Sequence, residues 1–323
     1  MTARTALVFG IAGQDGSYLT ELLLGEGYHV VGTSRDPTAA RARLAELGCD
    51  AAEVTAVDLR NTPAISGLID RVMPDEIYNF AAFSTGSGMY DQPVDIAEIN
   101  GVFVARILDA IRGRAQTIRF CQASSSEMFG IAQSSPQDEA TAFSPRSPYG
   151  VAKLLAHQLI GIARRRDGAF ACSAILFNHE SARRPTAFVT RKITRAAAAI
   201  RAGLAEELVL GDLAARRDWS HAADVVRAMW MMLQPERADD YVIAAGETHS
   251  VADLCRIAFE HVGLDWERYV RVDPALRRSP DGAQLVGDAR HARESFGWTP
   301  QVGFDAMIKQ MVDADLLTMQ IRH

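Results

Sequence analysis

Cysteine is scarce in this chain. The four present, Cys49, Cys121, Cys172 and Cys255, are far apart and form no C-x-x-C pair. That spacing argues against a disulfide framework or a thiolate metal site and leaves buried, reduced thiols as the expectation. Long apolar runs are missing too. Nothing approaches the ~20 residues of a membrane-spanning helix, and the first apolar stretch, 5–9, runs into a glycine turn and is too short for a signal-peptide core. A cytoplasmic protein with no membrane association is expected. A basic excess is also lacking: 34 basic and 40 acidic residues give a net charge of -6, which offers nucleic acid no electrostatic footprint. Repeats, low-complexity tracts and flexible linkers are absent, and no metal site is expected.

What is present is alternation. Short β-branched runs at 6–9, 29–32, 53–57, 76–80, 117–121 and 171–177 are separated by helical patterns at 18–26, 39–47 and 64–73 and by longer ones at about 93–113 and 147–166. This predicts an α/β fold with a Rossmann-type doubly wound parallel sheet. Beyond 177 the alternation loosens. Helices are expected at 190–202, 222–233, 251–262 and 304–317, with short strands at 207–210 and 241–243. The expected division is a dinucleotide-binding domain over 1–177, completed by about 215–245, and a smaller C-terminal α/β substrate lobe over 178–214 and 246–323.

The segment Gly10-Ile11-Ala12-Gly13-Gln14-Asp15-Gly16 links the first strand to the first helix. Glycines there allow a tight turn and close approach of a pyrophosphate to the helix N-terminus. Ser34 and Arg35, after the second strand, suit the 2′-phosphate of NADP, whereas Asp36 suits the ribose hydroxyl of NAD; both could equally be surface charges. NADP is expected over NAD. Asp58, beside Leu59, either bonds the adenine amino group or caps a helix. Ala81, in the small-residue run after the fourth strand, lets a cofactor lie close.

Tyr149 and Lys153 stand four apart on a predicted helix and so share a face. A lysine ammonium beside a phenol is expected to lower its pKa and make Tyr149 a base for a sugar hydroxyl. Ser125 could bond the substrate oxygen. Glu127, at the carboxyl end of the fifth strand, could take a proton from a carbon beside a newly formed ketone, a step that simple carbonyl reduction lacks. The bland alternatives are a polar turn for the serines and a solvated acid for Glu127.

With these residues in place the sequence resembles the GDP-mannose 4,6-dehydratase family of the extended short-chain dehydrogenase/reductases. The resemblance rests on Gly10–Leu19, on Gln122–Gly130, on Pro145-Arg146-Ser147-Pro148-Tyr149, on Ile175-Leu176-Phe177-Asn178-His179-Glu180-Ser181, on Phe188–Arg195 and on Arg217-Asp218-Trp219, and it spans nearly the whole chain. It implies a GDP-sugar substrate and the following roles. Tyr149 takes the C4 hydroxyl proton while hydride leaves to NADP+, with Lys153 holding the phenolate and the nicotinamide ribose. Ser125 bonds the C4 oxygen. Glu127 removes the C5 proton and helps expel the C6 hydroxyl, after which hydride returns to C6. Cofactor contacts fall on Gly10, Gly13, Gln14, Asp15, Gly16, Ser34, Arg35, Asp58, Leu59 and Ala81. Substrate contacts fall on Ser84, Asn178, Val189, Lys192, Gly211, Arg217, Arg278 and Asp281. A homodimer through the helices at 93–113 and 147–166 is implied, with a homotetramer as a further possibility.

The sequence departs from the family in four places, one of them an Arg35–Arg43 segment shorter than the family's arginine-rich loop. Ser125 replaces a threonine, Ser84–Met89 replaces a Ser-His-Val stretch, and Pro185-Thr186-Ala187 replaces Gly-Glu-Thr. The last two put the hexose identity in question. Two other readings remain open at this stage: a related epimerase or reductase, and a noncatalytic nucleotide-binding protein.

Overall fold

The computed structural model describes residues 3–83, 90–114, 117–276 and 284–320. The sequence-assigned Ser84, Arg278 and Asp281 lie outside the described residues. The strands are β1 (Thr5–Phe9), β2 (His29–Thr33), β3 (Glu53–Thr55), β4 (Glu76–Asn79), β5 (Arg119–Ala123), β6 (Ala171–Leu176), β7 (Asn178–Glu180), β8 (Leu208–Leu210), β9 (Arg216–Arg217), β10 (Trp219–His221), β11 (Tyr241–Ile243), β12 (His249–Ser250) and β13 (Val270–Val272). The helices are α1 (Gln14–Gly25), α2 (Pro37–Glu46), α3 (Thr62–Val72), α4 (Pro93–Ala97), α5 (Phe103–Ile111), α6 (Pro148–Asp167), α7 (Val189–Arg201), α8 (Ala222–Met232), α9 (Val251–His261), α10 (Trp266–Tyr269), α11 (Arg290–Phe296) and α12 (Phe304–Gln320).

Seven strands form one parallel sheet in the order β11-β6-β5-β4-β1-β2-β3. Alternation along β1 sends Ala6 and Val8 to one face and Leu7 and Phe9 to the other. The first face is covered by α1, α2 and α8 through Leu19, Leu23, Leu44 and Met229. The second is covered by α3, α5 and α6 through Ile65, Ile69, Ile107 and Ile160. Both faces are therefore dry, which is why these strands read as near-continuous apolar runs. The winding reverses between β1 and β4, and the carboxyl ends of these strands and of β5 open a crevice there.

A separate apolar cluster joins α7, α9, α12 and the short strands β8 and β10 through Ile193, Leu208, Trp219, Phe259 and Met311. Inside it lies an ion pair: Arg191 bonds Asp315, which also accepts from Thr194 Oγ1 at 2.9 Å, and both charged side chains are under a tenth exposed. Among the described residues no helix is long and apolar enough to cross a membrane, and no metal-binding group of His, Cys, Asp and Glu occurs.

The structure departs from expectation at identifiable places. The helix expected over 93–113 is interrupted by a π-turn, Glu98–Val102, between α4 and α5. The fifth strand starts at Arg119 and so includes Ala123. The first helix begins at Gln14, directly on the glycine turn and four residues before the expected start, and Gln14–Ser17 carry no apolar periodicity that would have announced it. Strands β7, β9, β10, β12 and β13 are two or three residues long, too short for alternation to register. Helices α10 and α11 are only four and seven residues and equally unmarked. Ala289, Ala292 and Trp298, within the stretch allotted to the lobe, pack instead in the cluster on the first sheet face.

Removing one partner of a buried ion pair strands the other charge. Asp315→Ala is expected to lose about 3 kcal/mol of stability by urea denaturation; a loss below about 1 kcal/mol would show that Arg191 finds water or another acceptor.

Candidate active site

The N-terminus of α6 is specified locally. Ser147 accepts the Gly150 N–H at 3.1 Å as N-cap, Pro148 occupies the first turn, and Gly168 closes the other end in the left-handed region. The helix sits tightly on the segment after β5: a Cβ added to Gly150 would lie 2.6 Å from the Glu127 carbonyl oxygen. One turn on, the Lys153 ammonium donates to the Ala123 carbonyl at 2.6 Å. Tyr149, on α6, is thereby held beside Ser125 and Glu127. The Ser125 hydroxyl lines the same cavity as Tyr149 and accepts the Glu127 N–H at 3.2 Å.

These groups line one cavity at the carboxyl ends of the strands. Asp15, Ser125, Glu127, Tyr149, Lys153 and Asn178, all named from sequence, share it with Phe80, Ala82, Phe177, His179, Arg184 and Phe188. Sequence reasoning missed His179 and Arg184. Nε2 of His179 lies 3.0 Å from Asp15 Oδ2, and Nδ1 lies 2.8 Å from the Phe177 carbonyl. Both partners accept, so both ring nitrogens must donate, and the ring is an imidazolium. Burial pulls the His179 pKa down, but the Asp15 charge outweighs it and the net shift is upward. Burial likewise pushes Asp15 up, and His179 and Arg184 more than reverse it. Arg184 lies 3.3 Å from Glu180 and 3.7 Å above the Phe188 ring. The only sequence signal for these two was their place in or beside the Ile175–Ser181 segment; a pairing across 164 residues leaves no local pattern.

One expectation is reversed. Burial pushes the Tyr149 phenol up to about 12, with the Ser125 hydrogen bond opposing and Glu127 adding to the rise. Lys153 does not stabilise a phenolate here. Its nitrogen sits 5.6 Å from the Tyr149 ring centre and is committed to Ala123, and burial lowers it to about 8.

The remaining assigned residues are placed as follows. Gly10 and Gly13 lie in the β1–α1 turn and Gly16 in the first turn of α1, and the Gly10 and Ile11 N–H groups both donate to the Thr33 carbonyl. Gln14 is buried and ties that turn to the other side of the cleft, donating to the His179 carbonyl and accepting from Ser181. Ser34 and Arg35 follow β2, and Arg35 is exposed with no ion pair among the described residues. Asp36 caps α2 through the Ala39 N–H at 3.0 Å. Asp58 accepts the Arg60 N–H in a turn, and the cap of α3 is Asn61 instead. Leu59 packs at the rim of the second sheet face, and Ala81 adjoins Gly10. The structure does not bring Val189, Lys192, Gly211 and Arg217 to the cavity wall. Lys192 donates to the Val209 carbonyl, Arg217 donates to the Arg216 carbonyl on β9, Gly211 follows β8, and Val189 opens α7.

The family model described as GDP-mannose 4,6 dehydratase matches residues 7–311. GDP-mannose 4,6 dehydratase 2 of Arabidopsis thaliana is 44% identical, over 97% of this chain and 87% of its own length. The GDP-mannose 4,6 dehydratase of Homo sapiens is 40% identical, over 98% and 92%. Among solved structures, UDP-glucose 4-epimerase with UDP-glucose from Thermotoga maritima superposes with a TM-score of 0.85 at 22% identity, covering 98% of this chain and 99% of that one. RMD from Pseudomonas aeruginosa complexed with NADPH gives 0.81 at 20% identity, covering 98% and 100%. At those identities the likeness establishes the fold.

Because burial holds the folded-state pKa of Lys153 near 8, below the ordinary 10.5, the folded protein carries this charge at a cost below pH 8. That cost fades as the pH rises towards 10. Relative to Lys153→Met, the wild type is expected to gain about 3 kcal/mol of stability between pH 7 and 10. Denaturant titrations across that range check this; parallel pH profiles would contradict the buried charge.

Proposed function

The chain belongs to the GDP-mannose 4,6-dehydratase family, and we propose that the cavity at Tyr149 is where it converts GDP-mannose to GDP-4-dehydro-6-deoxy-D-mannose. The observation that carries this is the meeting of Glu127 with Ser125 and Tyr149 in one cavity. Oxidation at one sugar carbon needs only a base for the hydroxyl proton, whereas dehydration needs a second group for the adjacent C–H.

NADP is the cofactor we assign, and the residues present fit it. Gly10 has φ of +82°, and a Cβ there would lie 2.9 Å from the Ala81 nitrogen, so the turn keeps its backbone open to a pyrophosphate. The first turn of α1 offers N–H groups that no helical carbonyl reaches. The Asp15 carboxylate at that helix end, which alone would repel phosphate, is neutralised by His179. With Asp36 engaged as a helix cap, Arg35 is the free charge at the end of β2, which suits a 2′-phosphate. Held there, NADP would supply a hydride acceptor for C4 and then a hydride donor for C6.

The chain's own residues do the rest. Tyr149 takes the C4 hydroxyl proton. The phenolate form is the base, and the phenol it becomes gives that proton to C5 once hydride has reached C6, while Ser125 bonds the C4 oxygen. The resulting ketone acidifies the C5 proton, which Glu127 removes. The same carboxyl group returns a proton to the C6 hydroxyl, which leaves as water. Asn178 lines the cavity for the hexose, while Arg217 and Lys192, on the lobe, meet the GDP portion. Lys153 fixes α6 on β5 and would hold the nicotinamide ribose.

The assembly we propose is a homodimer through α4 and α6. Val94, Val151, Leu155 and Ile162 there are 77, 55, 41 and 45% exposed, and a second copy of the chain would cover them. A reducing, cytoplasmic setting is supported by four buried free cysteines.

Glu127→Gln is expected to bind GDP-mannose and NADP+ and to accumulate NADPH absorbance, while water loss, followed by mass spectrometry, falls at least ~100-fold. Normal dehydration in that variant removes Glu127 from the mechanism. Leu155→Glu is expected to sediment as a monomer at concentrations where the wild type is a dimer; an unchanged dimer would place the interface elsewhere.

A further inference from the structure

Three segments from distant parts of the chain meet at a single carboxylate outside the catalytic group. Asp218, 1% exposed, lies between β9 and β10. Its Oδ1 accepts the Ala245 N–H at 2.9 Å, and its Oδ2 accepts those of Gly246 at 3.0 Å and Gly287 at 3.1 Å. The residue before it is Arg217. The residue after it, Trp219, stands in register opposite Asn178 on β7. Gly287 is seated so closely that an added Cβ would lie 2.3 Å from the Ala244 Cβ and 2.8 Å from the ring of Phe177, which lines the cavity. Buried Gln137 holds the same segment from its other edge, through the Val286 and Asp288 backbones. The cofactor turn at Gly10–Gly16 contributes none of these contacts.

We infer that Asp218 is a positioning residue for the sugar nucleotide: its carboxylate ties the 245–246 turn and the Gly287 segment to the β9–β10 junction, where Arg217 precedes it and Trp219 pairs with Asn178 beside Phe177. The inference rests on the nucleotide-sugar reading above. An ionised carboxylate is suited to the task because it presents only acceptors to three N–H donors. Asparagine at this position would turn an NH2 group towards at least one of those donors and leave it unsatisfied.

The test is calorimetric titration of wild type and Asp218→Asn with GDP and, separately, with NADP+, alongside steady-state kinetics on GDP-mannose. The expected result is about tenfold weaker GDP binding, the scale of one lost buried hydrogen bond, with NADP+ affinity unchanged, KM for GDP-mannose raised and kcat retained. Equal GDP affinities, or parallel loss of both ligands in a folded variant, overturn the inference. A wild type that binds GDP but does not dehydrate GDP-mannose refutes the reaction assignment alone, and the GDP affinity ratio still judges Asp218. Wild type that fails to bind GDP overturns both. Should Asp218→Asn not fold, Gly287→Ala, which pushes the same segment off Phe177, is judged by the same outcomes.

Discussion

The 2.6 Å hydrogen bond from Lys153 to the Ala123 carbonyl couples the two elements on which the site depends. Strand β5 carries Ser125 and Glu127 just past its end, and α6 carries Tyr149 one turn before Lys153. The ammonium sets how far α6 slides along the strand, and the absent side chain of Gly150 sets how close it comes. A helix anchored at both points leaves Tyr149 little freedom to miss Ser125. The price is a buried cation in a low-dielectric crevice, visible in the lowered pKa of the lysine.

Charge elsewhere in the cavity is balanced in a similarly local way. Asp15 stands at the N-terminal end of α1, and His179 offsets its charge from across the cleft. Arg184 is held by Glu180 and stacked on Phe188. The β1–α1 turn is in turn stitched to β7 by Gln14, which bonds both His179 and Ser181. The two sides of the cleft are thus joined through a few polar contacts, and the orientation of one constrains the other. Active sites are where burial and like or opposite charges are expected to move pKa values apart; here the phenol rises and the ammonium falls.

Much of this was legible in the sequence, for reasons that differ by element. The strands of the main sheet are buried on both faces, so β1, β2 and β6 announce themselves as apolar runs. The four-residue step from Tyr149 to Lys153 is local chemistry, and local chemistry reads directly. Illegible were features made by pairing across the chain: His179 with Asp15, Arg191 with Asp315, and the three backbone donors on Asp218. The two- and three-residue strands β7, β9 and β10 are defined by what lies beside them rather than by their own pattern. The tyrosine pKa was misjudged because helix spacing fixes that Tyr149 and Lys153 share a face, not where the ammonium points; Ala123 is its partner.

The family to which the chain belongs is defined by dehydration, and the geometry allots the redox and elimination steps to one sugar in one cavity. If that is right, hydrogen removed from C4 must reach C6 of the same molecule before the product leaves. The direct measurement is turnover of GDP-mannose deuterated at C4, in the presence of excess unlabelled NADP+, with the product read by NMR. The account predicts deuterium at C6 of the 4-dehydro-6-deoxy product and none in the free cofactor. Deuterium recovered in free NADPH, with a product that has not lost water, would contradict it.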